Sequence, residues 1–204
     1  VLHASTDEFP RIVIAPGDVE QCYYLTLEAF NLADKYQMPI VILTDKYLGE
    51  SYNTVESFQN HVVIDRGSLL SNEEAEKQTN YLRYKLTEDG VSPRAIPGQK
   101  NCMFVASSYE HDEQGYEREE EEVRLAMHAK RFRKFANATA EIAEKGIATK
   151  LYGNGAADFS IVSWGSPKGP ILEAMKMLEK EGINVNYLQI LFMSPFPKKV
   201  VTET

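Results

Sequence analysis

The sequence predicts an α/β protein built from parallel sheets in three-layer units. Two stretches carry that prediction. Residues 11–44 and 159–193 each read as strand, turn, helix, strand, the grammar of a β-α-β unit. Their strands are short, nearly all-apolar runs, which suit parallel sheets covered on both faces. The helices between them bring their own start and stop signals.

In the first unit, "RIVIA" (11–15) is a β-branched run broken by Pro16-Gly17. Asp18 is a good N-cap, and Gln21 three residues on completes a capping-box-like pair. Val19, Cys22, Tyr23, Thr26, Ala29, Phe30 and Ala33 follow at helical spacing on one face, so Cys22 is most simply core. The helix is expected to stop before Pro39, because the residue preceding a proline disfavours the helical region. "PIVILT" (39–44) is the second strand.

The middle is less regular. "DKYLGESYNTVESF" offers a short helix or turn, "HVVID" (61–65) a short strand, and "CMFVASS" (102–108) another. Between Gly67 and Gly98 periodicity fades, ending in the Gly- and Pro-rich loop "EDGVSPRAIPG". The longest helical signal runs from Glu117 to about Gly146, with Leu125, Ala129, Phe132, Ala136, Thr139 and Ala143 forming a narrow apolar seam. "LYGNGAA" (151–157) reads as a linker.

In the second unit Ile161–Trp164 is the strand and Gly165-Ser166 the turn. Pro170 sits in the first helical turn. Ile171, Ala174, Met175 and Leu178 make the buried face, and Gly182 is a natural stop. "INVNYLQILFM" (183–193) is the closing strand, and no further element is evident after it.

Composition narrows the function. Of 204 residues, 43% are hydrophobic and 25% charged, the profile of a soluble globular protein. A net charge of −8 argues against nucleic acid and anionic membranes as partners, since both need a basic patch. No apolar run approaches the ~18 residues of a membrane span. Cys22 and Cys102 are too few and too far apart for a disulfide framework or cluster motif, which suits a reducing, cytoplasmic setting. The chain begins on Val1, enters a strand almost at once and carries no signal-peptide pattern. It reads as an internal piece of a longer protein.

Chemistry is sparse. The turn at Trp164-Gly165-Ser166 exposes N–H groups suited to an anion, but such turns also simply pack helix onto strand. Neither a G-x-G-x-x-G nor a P-loop pattern occurs. His3, His61, His111 and His128 are isolated, without metal-ligand spacing. No nucleophile elbow or Cys/His pairing appears. The acidic run Glu117 and Glu119–Glu122 fits the first turn of the long helix, where the dipole favours negative charge. Glu120 with Arg124 makes an i, i+4 pair, and Lys130, Arg131, Arg133 and Lys134 follow on the solvated face. Glu110, His111, Asp112 and Glu113 differ: they form a glycine-ended loop between a strand-like run and a helix, where α/β proteins place functional residues.

Several blocks resemble one family. "DEFPRIVIAPGDVEQCYYLTLEAFNLADKYQMPIVILTDKYLGES", "YKLTEDGVSPRAIPG" and "SSYEHDEQGY" look like the 2-oxoacid:ferredoxin oxidoreductase alpha subunit, from its pyrimidine-binding domain onward. "DFSIVSWGSPKGPILEAMKMLEKEGINVNYLQILFMSPFP" is similar to the start of its transketolase-C-terminal-like domain. The resemblance divides the chain into 1–66 (end of the pyrimidine-binding domain), 67–156 (irregular connection with the long helix) and 157–204. Pro167 departs from the pattern, standing where many relatives have a more flexible residue.

The resemblance implies thiamine diphosphate-dependent oxidative decarboxylation of a 2-oxoacid with CoA, giving acyl-CoA and CO2 and passing electrons to ferredoxin. It implies a beta subunit that carries the diphosphate-binding domain, with Mg2+ and a 4Fe-4S cluster. The family's Y-P-I-T-P segment, its activating glutamate and the arginine of its R-G-G-P-S-T-G segment would precede Val1, and "EDG" (88–90) is not its metal motif. No residue here is assigned catalysis or cofactor contact. Glu110–Glu113 is the candidate active-site loop, a substrate-responsive lid. A non-catalytic assembly subunit and a lipoamide-linked E1-type component are the alternatives.

Overall fold

A computed structural model describes residues 1–5, 8–59 and 63–204. The first unit is β1 (Ile12–Ile14), α1 (Val19–Tyr36) and β2 (Ile40–Ile42), with β1 and β2 parallel in the register Ile12–Ile40. The short helices α2 (Lys46–Gly49) and α3 (Asn72–Glu76) punctuate the irregular middle. The long helix α4 (Glu121–Glu144) leads to β3 (Thr149–Tyr152). The second unit is β4 (Phe159–Ser163), α5 (Lys168–Lys180) and β5 (Val185–Ile190), with β4 and β5 parallel. β6 (Phe192–Ser194) and α6 (Lys198–Glu203) close the chain.

Both β-α-β units therefore form, and each parallel pair gains an antiparallel strand that periodicity did not reveal. One sheet has the order β2-β1-β6, the other β3-β5-β4. β3 occupies part of the stretch read as a linker. It is a half-exposed edge strand of four residues whose partner, Tyr187–Ile190, lies far along the chain, so no local pattern marks it. The run 183–193 is two strands and not one. At Leu191 the ladder changes sheets: Ala148 O accepts from Leu191 N–H (2.8 Å) and Phe192 N–H (3.1 Å), while Leu191 O accepts from Ala15 N–H (2.7 Å).

Other expectations are corrected. "CMFVASS" forms no strand, and Met103 in its middle is 94% exposed. In "HVVID", His61 and Val62 lie outside the described residues, and Val63–Asp65 is not a strand. The acidic stretch before α4 is mostly outside the helix: Glu120 is the N-cap, so only Glu121 and Glu122 occupy the first turn. α6 was not foreseen; it turns the chain back after Pro197.

Both long helices are rotated from their expected faces. On α1 the core positions are Leu25, Ala29, Leu32 and Tyr36, while Phe30 is 71% exposed. On α4 the core side carries Met127, Lys130, Phe135, Ala138 and Ile142, and Leu125, Ala129, Ala136 and Ala143 face outward. The misreading has a physical cause: two lysines sit within the true buried stripe. The face expected on α5 is only half-buried, and its Ala174 is exposed.

The core joins Ile12 and Ile14 of β1 to Leu32 and Tyr36 of α1, Ala138 and Ile142 of α4, and Phe192 of β6. Above it, Glu141 of α4 binds Lys35 (2.8 Å), Lys145 (2.8 Å) and the Tyr36 hydroxyl. Burial alone would raise the Glu141 pKa, but these donors overcome it and pull it down to about 2.

Gly17 marks a close approach of the two units. A Cβ there would stand 2.5 Å from Gln189 Nε2 and 2.8 Å from Gly165 O. Gly17→Ala is expected to push β1 and β5 apart and destabilise the fold by about 1–3 kcal/mol, read as a lowered denaturation midpoint. The depressed Glu141 carboxyl stabilises fully above its unfolded pKa of ~4.3 and loses that contribution as pH falls towards 2. Denaturation midpoints measured from pH 5 to 2.5 should fall less steeply in Glu141→Gln than in the native protein.

Candidate functional site

The loop carrying Glu110, His111, Asp112 and Glu113 is a tightly tied structure. Asp112 Oδ1 accepts from the backbone N–H of Gln114 (3.0 Å), Gly115 (3.1 Å) and Tyr116 (3.0 Å), and Oδ2 accepts from Arg118 Nε (2.9 Å). Such an Asx-type turn replaces the hydrogen bonds the backbone lacks outside helix or sheet. Gly115, at φ 98°, is obligatory: a Cβ would meet Val105 O at 1.9 Å. A bridge between His111 and Glu117 closes the loop's base.

Each remaining side chain reaches a different neighbour. Glu110 pairs bidentately with Arg131 of α4. Glu113 holds the preceding irregular segment, its backbone O accepting from Tyr84 N–H (3.0 Å) and its Oε1 from Leu86 N–H (2.7 Å). The His111 ring lies 3.9 Å from that of Tyr84, with Nδ1 3.0 Å from Asp112 O. Burial works to raise the pKa of Glu110 and of Asp112. The Arg131 pair outweighs it for Glu110, and Arg118 with the loop amides outweighs it for Asp112, so both carboxyls stay below the usual range. The four residues thus share one loop without converging on a common point, and the three carboxylates are all engaged.

Near this loop lies a group of cations, and two of them, Lys130 and Lys134, belong to the helix face expected to be solvated. Lys130 is 6% exposed, and its Nζ donates to Tyr84 O (2.7 Å) and Ser92 Oγ (2.6 Å). Lys134 Nζ donates to Gln37 O (2.7 Å), and Arg83 to Gln37 Oε1 (2.8 Å). Burial, then the charges of Lys134 and Arg83, drives the Lys130 pKa down to about 7; burial and the two arginines bring Lys134 to about 8. The one local signal that could have found them is their i, i+4 spacing between Met127 and Ala138.

The carboxyl ends of the parallel strands, where α/β sheets receive ligands, form a second polar cluster. Asp18 caps α1 through Gln21 N–H (2.8 Å) and pairs with Lys168. Gln21 Oε1 accepts from Gly17 N–H, one residue before the position a capping box would use. Gln21 and Gln189 exchange two bonds of 2.9 Å, and Tyr152 adds a third at 3.1 Å. Asp45 caps α2 and accepts from Ser166 N–H (3.3 Å). The Ser166 side chain first, and then the Leu48 N–H, hold its carboxyl below the usual range. The candidate anion turn is thus faced by a carboxylate of the protein itself.

Neither cluster fits a diphosphate or a metal ion on its own. Among the described residues no group of three His, Cys, Asp or Glu side chains could hold a metal. The strand-end acids are committed to Lys168 and to helix caps. Cys22 and Cys102 are free thiols raised by burial, Cys102 being buried beside Ala75. No helix among the described residues is long and apolar enough to cross a membrane.

Comparison with known proteins supplies the context. The family model described as pyruvate flavodoxin/ferredoxin oxidoreductase, thiamine-diphosphate-binding, matches residues 2–130. A 2-oxoacid:ferredoxin oxidoreductase subunit alpha from Saccharolobus solfataricus is 39% identical over 98% of this chain and 31% of its own length. Subunit alpha of 2-oxoacid:ferredoxin oxidoreductase 2 from Aeropyrum pernix is 40% identical over 95% of this chain and 30% of its own. A solved 2-oxoglutarate:ferredoxin oxidoreductase from Magnetococcus marinus, with 2-oxoglutarate, coenzyme A and succinyl-CoA bound, superposes with a TM-score of 0.80. It is 34% identical and covers 96% of this chain and 33% of that one. The chain therefore spans about a third of the length of these relatives. On this evidence, which bears out the resemblance read from its motifs, the chain belongs to the thiamine-diphosphate-binding family of pyruvate flavodoxin/ferredoxin oxidoreductases.

Proposed function

We propose that this chain is part of the alpha subunit of a thiamine diphosphate-dependent 2-oxoacid:ferredoxin oxidoreductase. The whole enzyme would decarboxylate a 2-oxoacid oxidatively with CoA, yield acyl-CoA and CO2, and pass the electrons to ferredoxin. The observation that carries this reading is the match, over nearly the whole of this chain and about a third of theirs, to alpha subunits named for that activity. The 2-oxoglutarate and CoA bound by the similar enzyme from Magnetococcus marinus support the substrate classes.

In this reading the cofactor supplies the electron sink, and the protein orients reactants and excludes water. The acids at the strand ends are already engaged with the chain's own cations and amides. We therefore assign the diphosphate, Mg2+ and the 4Fe-4S cluster mainly to other segments of the subunit and to a beta subunit, with ferredoxin as the electron acceptor and the cytoplasm as the compartment. Residues 1–66 would complete the pyrimidine-binding domain, 67–156 connect it, and 157–204 open the transketolase-C-terminal-like domain.

The Glu110–Glu113 loop keeps its place as the proposed active-site loop. With Glu110, Asp112 and Glu113 all engaged, its contribution is shape and closure, and not a free acid or base.

Two measurements test these assignments. The full-length protein should co-purify with a brown, cluster-bearing subunit and reduce a dye in a 2-oxoacid- and CoA-dependent manner; purified protein without that activity overturns the function. Asp112→Ala removes the acceptor of three loop amides and should lower turnover about tenfold or more through misplacement of the loop, with the global melting transition retained. Unchanged kinetics for each 2-oxoacid tried would remove the loop from the active site.

A further inference from the structure

Lys130 and Lys134 are built into the interior in an unusual way. Charged amines taken from water need opposite charge or a full set of strong acceptors. Here the hydrogen bonds go to neutral oxygens: Tyr84 O and Ser92 Oγ for Lys130, Gln37 O for Lys134. The charged groups around the pair are mostly of the same sign. Segment 81–92 contributes Arg83, α4 contributes Arg131, already paired with Glu110, and the 110–116 loop contributes Glu113, which binds Leu86 N–H. The end of α1 contributes the neutral Gln37, a left-handed residue at φ 48° whose side-chain amide also binds Ser92 O and Arg83.

Lys130 therefore fastens segment 81–92 to α4, and Lys134 fastens α4 to the end of α1, whose Gln37 side chain in turn binds Ser92 O and Arg83. The fastening extends further, because Tyr84 and Leu86 carry the bonds to Glu113. Opening the segment would break those two bonds and loosen the 110–116 loop, which keeps its Glu110–Arg131 pair to α4.

We propose that Lys130 and Lys134 form a proton-responsive clamp, which holds segment 81–92 and the loop docked on it more tightly when the amines are neutral than when they are charged. A neutral amine keeps two N–H groups, enough for the two bonds of Lys130 or the one of Lys134. It gives up the desolvated charge and the repulsion from Arg83 and Arg131. Burial that draws Lys130 to about 7 and Lys134 to about 8 places the change near neutrality.

The sign follows from proton linkage. In the opened segment the amines return to the ordinary lysine value of ~10.4 and stay protonated, while in the closed state they have lost protons. Closure thus releases protons and is favoured as pH rises from about 7 to 10. In the steepest part of that range each lysine changes the opening constant by up to about tenfold per pH unit.

Hydrogen exchange of the full-length protein in its purified complex tests the clamp. Exchange would be followed by mass spectrometry from pH 7.5 to 9.5 and corrected for the chemical exchange rate. The expected result is an opening constant for residues 81–92 and 110–116 that falls with pH, while peptides of β4 and α5 stay flat. In Lys130→Met and Lys134→Met, which keep an apolar stem, the slope should be smaller. A flat native profile over 81–92 overturns the proposal without recourse to any variant. So does a slope shared by the whole chain, or one retained in both variants.

Discussion

The segment 185–194 is the constraint on which the rest of the structure depends. As β5 it lies between β3 and β4, and after Leu191 it continues as β6 against β1. One extended run thus closes two sheets that the chain begins more than a hundred residues apart. Tyr187, Gln189 and Phe192 are each 0% exposed because helices and strands from both units cover them. A strand shared in this way ties the register of one sheet to that of the other, since shifting it by one residue would turn every side chain to the opposite face.

The same constraint explains why polar groups sit where the units meet. The carboxyl ends of β1 and β4 face each other across Gly17 and Gly165, too close for a side chain at Gly17. Backbone N–H and C=O groups emerging there need partners. Asp18, Gln21 and Asp45 accept from the N–H groups of Gln21, Gly17, Leu48 and Ser166, and Lys168 and Gln189 pair in turn with the Asp18 and Gln21 side chains. A purely apolar junction would bury as much surface but would not distinguish one register from the next.

How much of this was legible follows from how local each interaction is. The first β-α-β unit was readable because its signals sit side by side: the β-branched run, Asp18 bonding Gln21, the stop before Pro39. Gly182 at φ 78° was readable for the same reason. The faces of α1 and α4 were not. Lys130 counts as a buried residue only because Tyr84 and Ser92, around forty residues earlier, offer it oxygens. β3 and β6 were hidden likewise, their partners being remote and their lengths only four and three residues. The loop at 110–113 was legible as a place, from its terminal glycine and its position before a helix. Its internal wiring was not, because Arg131 stood in the sequence as one more charge on a solvated face.

The surface that remains apolar belongs to the same logic. α1 is hydrophobic on two sides: Leu25, Ala29, Leu32 and Tyr36 face the core, while Tyr24 and Phe30 are exposed beside Tyr23, whose ring stacks on Phe58 at 4.2 Å. Glu20, Glu28, Asp34 and Lys35 keep the rest of the helix polar, so its exposed rings form a patch on one side only. β4, at the edge of its sheet, exposes Phe159 and Val162 in the same manner. Relatives about three times as long match almost the whole of this chain within about a third of their length. The polar junction at Gly17 then orients the two units, and α1 and β4 keep exposed apolar residues that the junction does not use.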